Sequence, residues 1–590
     1  MNIRSLHLLV CSAILVWSGL QLAAQATPPP SDAGFFPLAE LKPGMKATAW
    51  TVFRGTTPEP MDVEILGVLR GARGPGQDMI LAQLHGQKPE YTGVVAGMSG
   101  SPVYVEGKLL GALSYRIGQF SRDPIAGITP IGQMLAVRDL PLAGAPAGET
   151  SGALAASYAG QNFQPMETPL VLSGFSPETV RFWQQTMAGS GLDQVAAGGA
   201  GSSEAASGKE EKILPGSAVS MQLARGDVEM AATCTVTYID PKQLLACGHP
   251  VLQAGAVSLP MTASEVVLTL ASPLNAFKIV NTGRTIGAFT EDRNAAIRGV
   301  LGTEAQMIPL TLQIAGGRTL HVEILDQAGL TPQIAMVVVY QALQESNRAQ
   351  AEASYHLTGR IRLNGEADVP LDSWAVPAEA MPAQMSAALG LGSLFHQLYS
   401  SGERMSAVRG IEVRVEQMDE RVQLQLEQAR LLGSGAAHAG DTVQVEATLR
   451  PWRQAPHTVQ FALTLPARLA PGPVRLLVSD GGTIDRIADP PLPPGQNRPW
   501  KTLLAASRQH HAADRLYASL LLPEAQAVVD GQALSSLPLS VANALERQPA
   551  GHEWMMAGET PHLAAELPVG GPVSGFQVIN LRILPGGGLN

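Results

Sequence analysis

The sequence predicts a mainly β protein, on three observations. Charged residues make up only 15% of the 590-residue chain, below the quarter or so usual in soluble domains, so long, charge-laced amphipathic helices are poorly represented. Gly (61) and Pro (44) are abundant and divide the chain into short segments. Between them lie apolar runs of strand length, such as Ala47 to Phe53, Met61 to Leu69 and Met79 to Leu84. A net charge of −10 supplies no basic footprint for nucleic acid.

Taken in order, residues 1–26 read as a secretory signal. Arg4 is the positive start, Leu8 to Leu22 the short apolar stretch and Ala24-Gln25-Ala26 the cleavage site. The expectation is an exported protein, periplasmic or extracellular, with no membrane span once the signal is removed. Residues 38–140 read as a run of strands. Residues 141–213 read as a linker holding a strand (Pro169 to Phe175), a helix (Ser176 to Met187, Pro177 at its first position) and the low-complexity stretch Ala196 to Lys212. Strands resume over 214–302. A β-rich module with a helix-like segment, Met336 to Gln350, is expected over 303–435. The alternating blocks Thr442 to Leu449 and Thr458 to Leu465 suggest a β-sandwich-like module over 436–490. Residues 491–590 read as a helix, Lys501 to Leu521, followed by strands.

After the signal two cysteines remain, Cys234 and Cys247, flanking the turn Ile239-Asp240-Pro241-Lys242. A hairpin centred on Asp240-Pro241 would set them opposite each other, as a cross-strand disulfide in an oxidising compartment or as two buried thiols.

The chemistry is concentrated in GVVAGMSGSPVYVEGKLLGALSY, residues 93–115. Gly97-Met98-Ser99-Gly100-Ser101-Pro102 sets a serine in a tight glycine turn, and Val103 to Tyr115 reads as a hairpin through Glu106-Gly107. Such a turn exposes a nucleophile and lets the amides of Gly97 and Ser99 converge on an oxyanion; it also serves as a plain tight turn. A serine nucleophile needs a base. His249, ending a strand in Ala-Cys-Gly-His-Pro, is the first candidate and His85 the second, while His510-His511 reads as surface. The acid is not legible: Glu291, Asp292, Glu265, Asp240 and Asp78 are all available. With no His-Glu-x-x-His or Cys-x-x-Cys spacing, neither a metal nor an organic cofactor is implied.

The serine segment closely resembles that of the stage IV sporulation protein B serine peptidase family, and the match puts Ser99 on the family's nucleophile. TCTVTYIDPKQLLACGHP is similar to the family's histidine block, which puts His249 on its catalytic histidine; TIGAFTEDRNAAIRGVLG resembles the segment after it. The resemblance covers roughly 44–137 and 215–302 and implies a chymotrypsin-like double β-barrel. The two blocks stand in permuted order, serine first, and Leu84-His85-Gly86 occupies the place of the family's Asp-Pro aspartate, so no acid is carried over. No PDZ module is visible ahead of the site.

The expectation is therefore a chymotrypsin-like double β-barrel in permuted order, followed by β-sandwich-type modules. Its function would be that of a secreted or periplasmic serine endopeptidase, acting on a protein or peptide substrate or cleaving itself. The alternative is a non-catalytic envelope binding or assembly protein on a peptidase-derived scaffold.

Overall fold

A computed structural model describes residues 27–117, 123–141, 163–166, 168, 170–196, 199–200, 212–272, 276–346, 352–399, 407–488, 499–523, 525–529, 532–546, 554–557 and 559–585. The expected signal and much of the expected linker and low-complexity stretch lie outside these residues. Among the described residues no helix is long and apolar enough to cross a membrane.

The chain is mainly β. Its first unit is a closed antiparallel barrel of six strands: β1 (Lys46–Thr51), β2 (Glu59–Leu69), β3 (Met79–His85), β4 (Pro102–Val105), β5 (Lys108–Ile117) and β6 (Ile125–Pro130). The ring runs β1-β2-β3-β6-β5-β4 and back to β1. Period-two patterning builds it: Met61, Val63 and Ile65 of β2 enter the core while Asp62 and Glu64 point away. Ile80, Ala82, Leu84, Val103, Leu113 and Ile128 complete that core from the other strands. The β4–β5 hairpin turns at Glu106 and Gly107, both at positive φ (51° and 77°), the geometry that matches strand twist in a two-residue turn.

Short strands β7 (Phe163–Pro165), β8 (Leu170–Ser173), β9 (Val195–Ala196) and β10 (Gly199–Ala200) follow. A helix over Pro177–Thr186 intervenes, its amide at Thr179 accepted by the Ser176 hydroxyl. Then come β11 (Ala218–Gly226), β12 (Glu229–Ile239), β13 (Gln243–Ala246), β14 (Gly255–Leu270), β15 (Phe277–Arg293) and β16 (Ala296–Leu301). These six curl into a sheet whose pairings, β11-β12-β13-β16-β15-β14 and back to β11, repeat the order of the first unit. The sheet continues through β18 (Thr319–Leu325) into β17 (Met307–Ile314), β21 (Val408–Met418), β19 (Ser354–Leu363) and β20 (Val369–Ala375).

Two apolar clusters join the units. Trp50, Leu109 and Ala112 of the barrel meet Leu245, Ala295 and Ala296, and Val52 meets Ala218, Val266 and Val280. The fully buried Arg298 grips the departing chain, donating to the carbonyls of Arg138 (3.1 Å) and Leu140 (2.6 Å).

Beyond residue 420, a four-stranded and a five-stranded sheet share one core in which Val445 and Leu463 face Leu476 and Leu520. The Gly472–Ser479 strand pairs with both Arg515–Leu522 and Phe576–Leu584, so one sheet runs across the expected boundary at 490. Two expected helices differ. The helix expected over Met336 to Gln350 starts earlier, at Thr331, because the Thr331 hydroxyl and amide close a turn on Gln327; residues 347–350 of that expectation lie outside the described residues. The Lys501 to Leu521 helix is instead Trp500–Arg508 followed by a strand, Arg515–Leu522. His510 and His511 are held on Asp485 between them, and Leu516, Ala518 and Leu520 enter the sheet core at strand spacing.

Candidate active site

The serine turn sits where barrel and curled sheet meet. Met98 is inserted into the barrel core beside Val95 and Val103, which fixes the turn from one side. From the other side β12 takes its carbonyls. Thr235 Oγ1 donates to Gly97 O (3.0 Å), Thr235 N to Ser99 O (2.8 Å) and Thr237 Oγ1 to Gly100 O (2.7 Å). Gly100, at φ +95°, is where the backbones come closest: a Cβ there would lie 2.0 Å from Thr235 O and 2.6 Å from Cys247 N. No other residue fits.

The amides divide unevenly. Met98 N and Gly100 N are donated to Val95 O and Leu113 O, whereas among the described residues Gly97 N and Ser99 N make no hydrogen bond although the turn is buried. Buried, unused amides are uncommon. These two are the amides expected of an oxyanion site.

His249 follows β13. The hairpin centred on Asp240-Pro241 forms, closed by the Asp240 carboxylate on the amides of Lys242 and Gln243 (3.0 Å each), and Cys234 and Cys247 are joined in a disulfide with Cα atoms 5.1 Å apart. Cys247 and Gly248 both take positive φ (66° and 73°), turning the chain so that Gly248 lies against the barrel strand β5. A Cβ on Gly248 would fall 2.1 Å from Ser114 Oγ, and Gly248 O accepts from Thr129 Oγ1 at 2.7 Å. Thus the histidine segment docks on the serine unit, and the serine turn docks on β12, the first strand of the hairpin that leads to the histidine.

His249 is 2% exposed. Its Nδ1 lies 2.7 Å from the carbonyl of Pro250, an acceptor only, so Nδ1 carries the proton. Its Nε2 is buried without a partner, and so is Ser99 Oγ; no hydrogen bond joins the two. Burial, opposed by the hydrogen bond to Pro250 and aided by the charge of Arg73, lowers the imidazole pKa to about 4, which keeps the ring neutral at pH 7 and makes it a weaker base than a free histidine.

Among the other candidates, His85 stands between the carboxylates of Glu64 (3.8 Å) and Glu90 (3.7 Å), not at the serine turn. His510 and His511 share Asp485 in the C-terminal part. Of the five candidate acids, none accepts a hydrogen bond from His249. Glu265 is exposed, Asp78 accepts from Gly71 N, and Glu291 is paired with Arg293 and Arg298. Asp292 accepts from Val251 N and Leu252 N.

One residue was missed by reading the sequence. Lys278 of β15 is buried, its stem packs 3.3 Å from the Cβ position of Gly97, and its Nζ donates to Thr51 Oγ1 at 2.8 Å. Burial lowers its pKa to about 7. The signal was its phase: Lys278 stands two residues from each of Ala276 and Val280, both buried, and so shares their inward face.

Comparison of the chain with protein-family models, curated proteins and solved structures returned no match.

Proposed function

We propose that the protein is an exported serine endopeptidase in which Ser99 attacks a peptide carbonyl, His249 takes and returns the proton, and the amides of Gly97 and Ser99 hold the oxyanion. The observation that carries this reading is that, among the described residues, Ser99 Oγ and His249 Nε2 are both buried without a hydrogen-bond partner, on turns held by β12 and β5 where the two units meet, while the amides of Gly97 and Ser99 are unused. Nucleophile, base and oxyanion donors are the parts acyl transfer requires. The absence of a Ser99–His249 bond is compatible with it, since such contacts often close only when substrate is bound.

The repeated strand order supports a chymotrypsin-like double β-barrel with its halves permuted. Ser99 precedes the fourth strand of one ring and His249 follows the third strand of the other. Chain order does not constrain such a site, because catalysis depends on geometry. The resemblance to the stage IV sporulation protein B family fits this arrangement. The Cys234–Cys247 disulfide supports an oxidising, extracytoplasmic location.

The second reading is a binding or assembly protein on the same scaffold. It is favoured by the burial of the site, with Ser99 at 0% and His249 at 2% exposure. Incubation of the folded protein with a fluorophosphonate separates the two readings. A peptidase takes one adduct on Ser99; a binding scaffold takes none.

A further inference from the structure

Asp292 is 1% exposed and stands next to last in the long strand β15, beside the segment that leaves His249. Its two oxygens receive the amides of Val251 (3.0 Å) and Leu252 (2.5 Å). The two neighbouring arginines are engaged elsewhere, Arg293 Nε and Arg298 Nη2 both on Glu291 (2.8 and 3.3 Å). Asp292 is therefore a buried carboxylate satisfied by main-chain amides rather than by a cation.

The peptide that joins Pro250 to Val251 carries both ends of a chain of hydrogen bonds. Its N–H donates to Asp292 Oδ1 (3.0 Å), and its carbonyl accepts from His249 Nδ1 (2.7 Å). A charge accepting at one end of a peptide polarises it and strengthens its carbonyl as an acceptor at the other. The Nδ1–H tautomer is thereby favoured, and Nε2 is left with the lone pair a base needs. We propose that Asp292 is the positioning acid of this site, acting on His249 through the Pro250–Val251 peptide and not by direct contact. The inference rests on the reading of His249 as the base.

The test is nitrogen NMR of the full chain labelled with ¹⁵N-histidine, the His249 signals being assigned by their loss in His249→Gln, together with the rate of fluorophosphonate capture by Ser99. The wild type is expected to show Nδ1 protonated and Nε2 bare. Asp292→Asn, nearly isosteric but unable to accept from both amides through oxygen, is expected to mix the tautomers and slow capture by about tenfold or more. Glu291→Gln, a buried neighbour whose partners are arginines, is expected to leave the His249 tautomer unchanged. A wild-type His249 protonated at Nε2 overturns the proposal without any variant, as does an Asp292→Asn protein with unaltered His249 signals. A bare Nε2 in a wild type that captures no probe overturns the peptidase reading and leaves the relay standing.

Discussion

The amide of Thr235 donates to the carbonyl of Ser99 at 2.8 Å, across the junction between the closed barrel and the curled sheet. Thr235 adjoins Cys234, whose disulfide partner Cys247 lies two residues before His249. One strand thus holds the serine turn directly and the histidine segment through a covalent bond. The geometry of both depends on the docking of the two units rather than on either alone.

Thr235→Val keeps the shape of the side chain but removes the donor to Gly97 O. A buried carbonyl left unpaired costs about 1–3 kcal/mol. Urea unfolding is expected to show that loss, and the rate of probe capture by Ser99 is expected to fall because the Gly97–Met98 peptide, next to the serine, is then free to turn.

Gly100→Ala is expected to be more damaging. Its methyl would sit 2.0 Å from Thr235 O at a φ of +95°, so the serine turn must lift off β12 for the chain to fold. Lower thermal stability than Thr235→Val and no probe capture are the expected results. Wild-type stability would contradict the close approach described.

Removing the disulfide with Cys234→Ala and Cys247→Ala together is expected to destabilise the protein by about 2–4 kcal/mol. The bridge closes a short hairpin, its two ends 13 positions apart in sequence. Probe capture is expected to fall by more than stability alone predicts, since both ends of the bridge border the site. Chemical denaturation with and without reductant measures the first effect, and labelling the second.

Lys278 supplies the pH dependence. Its folded pKa, lowered by burial to about 7, lies below the ordinary value of 10.5. Between those values the unfolded chain holds a proton that the folded chain lacks, so stability rises with pH through the window and is lost as pH falls to its lower end. Urea midpoints measured across the window should climb in the wild type, and Lys278→Met should flatten the climb. A slope of the opposite sign would show the amine charged and paired in the folded state.

How much of this was legible follows from where the determinants lie. The β4–β5 hairpin and the Asp240-Pro241 hairpin were readable because their turn residues are local and specific. The Cys234–Cys247 bridge was foreseen as one of two outcomes, and the fold of the second hairpin selected between them. The helix expected at Lys501 to Leu521 failed because a non-local contact, His510 and His511 on Asp485, interrupts a stretch that local pattern alone continues. Glu291 and Asp292 are adjacent acids that no sequence rule separates. Only the folding of Val251 and Leu252 onto one, and of two arginines onto the other, gives them different tasks. The amides left free at Gly97 and Ser99 were predictable from the glycine turn, but the strand that takes its carbonyls comes from a segment more than a hundred residues away.

The most direct test of the central claim is intact-mass analysis of the purified, disulfide-intact protein after exposure to a fluorophosphonate, beside Ser99→Ala and His249→Gln. A single adduct is expected on the wild type, absent from Ser99→Ala and strongly reduced in His249→Gln. A folded wild type that takes no adduct, or takes one that survives Ser99→Ala, would contradict it.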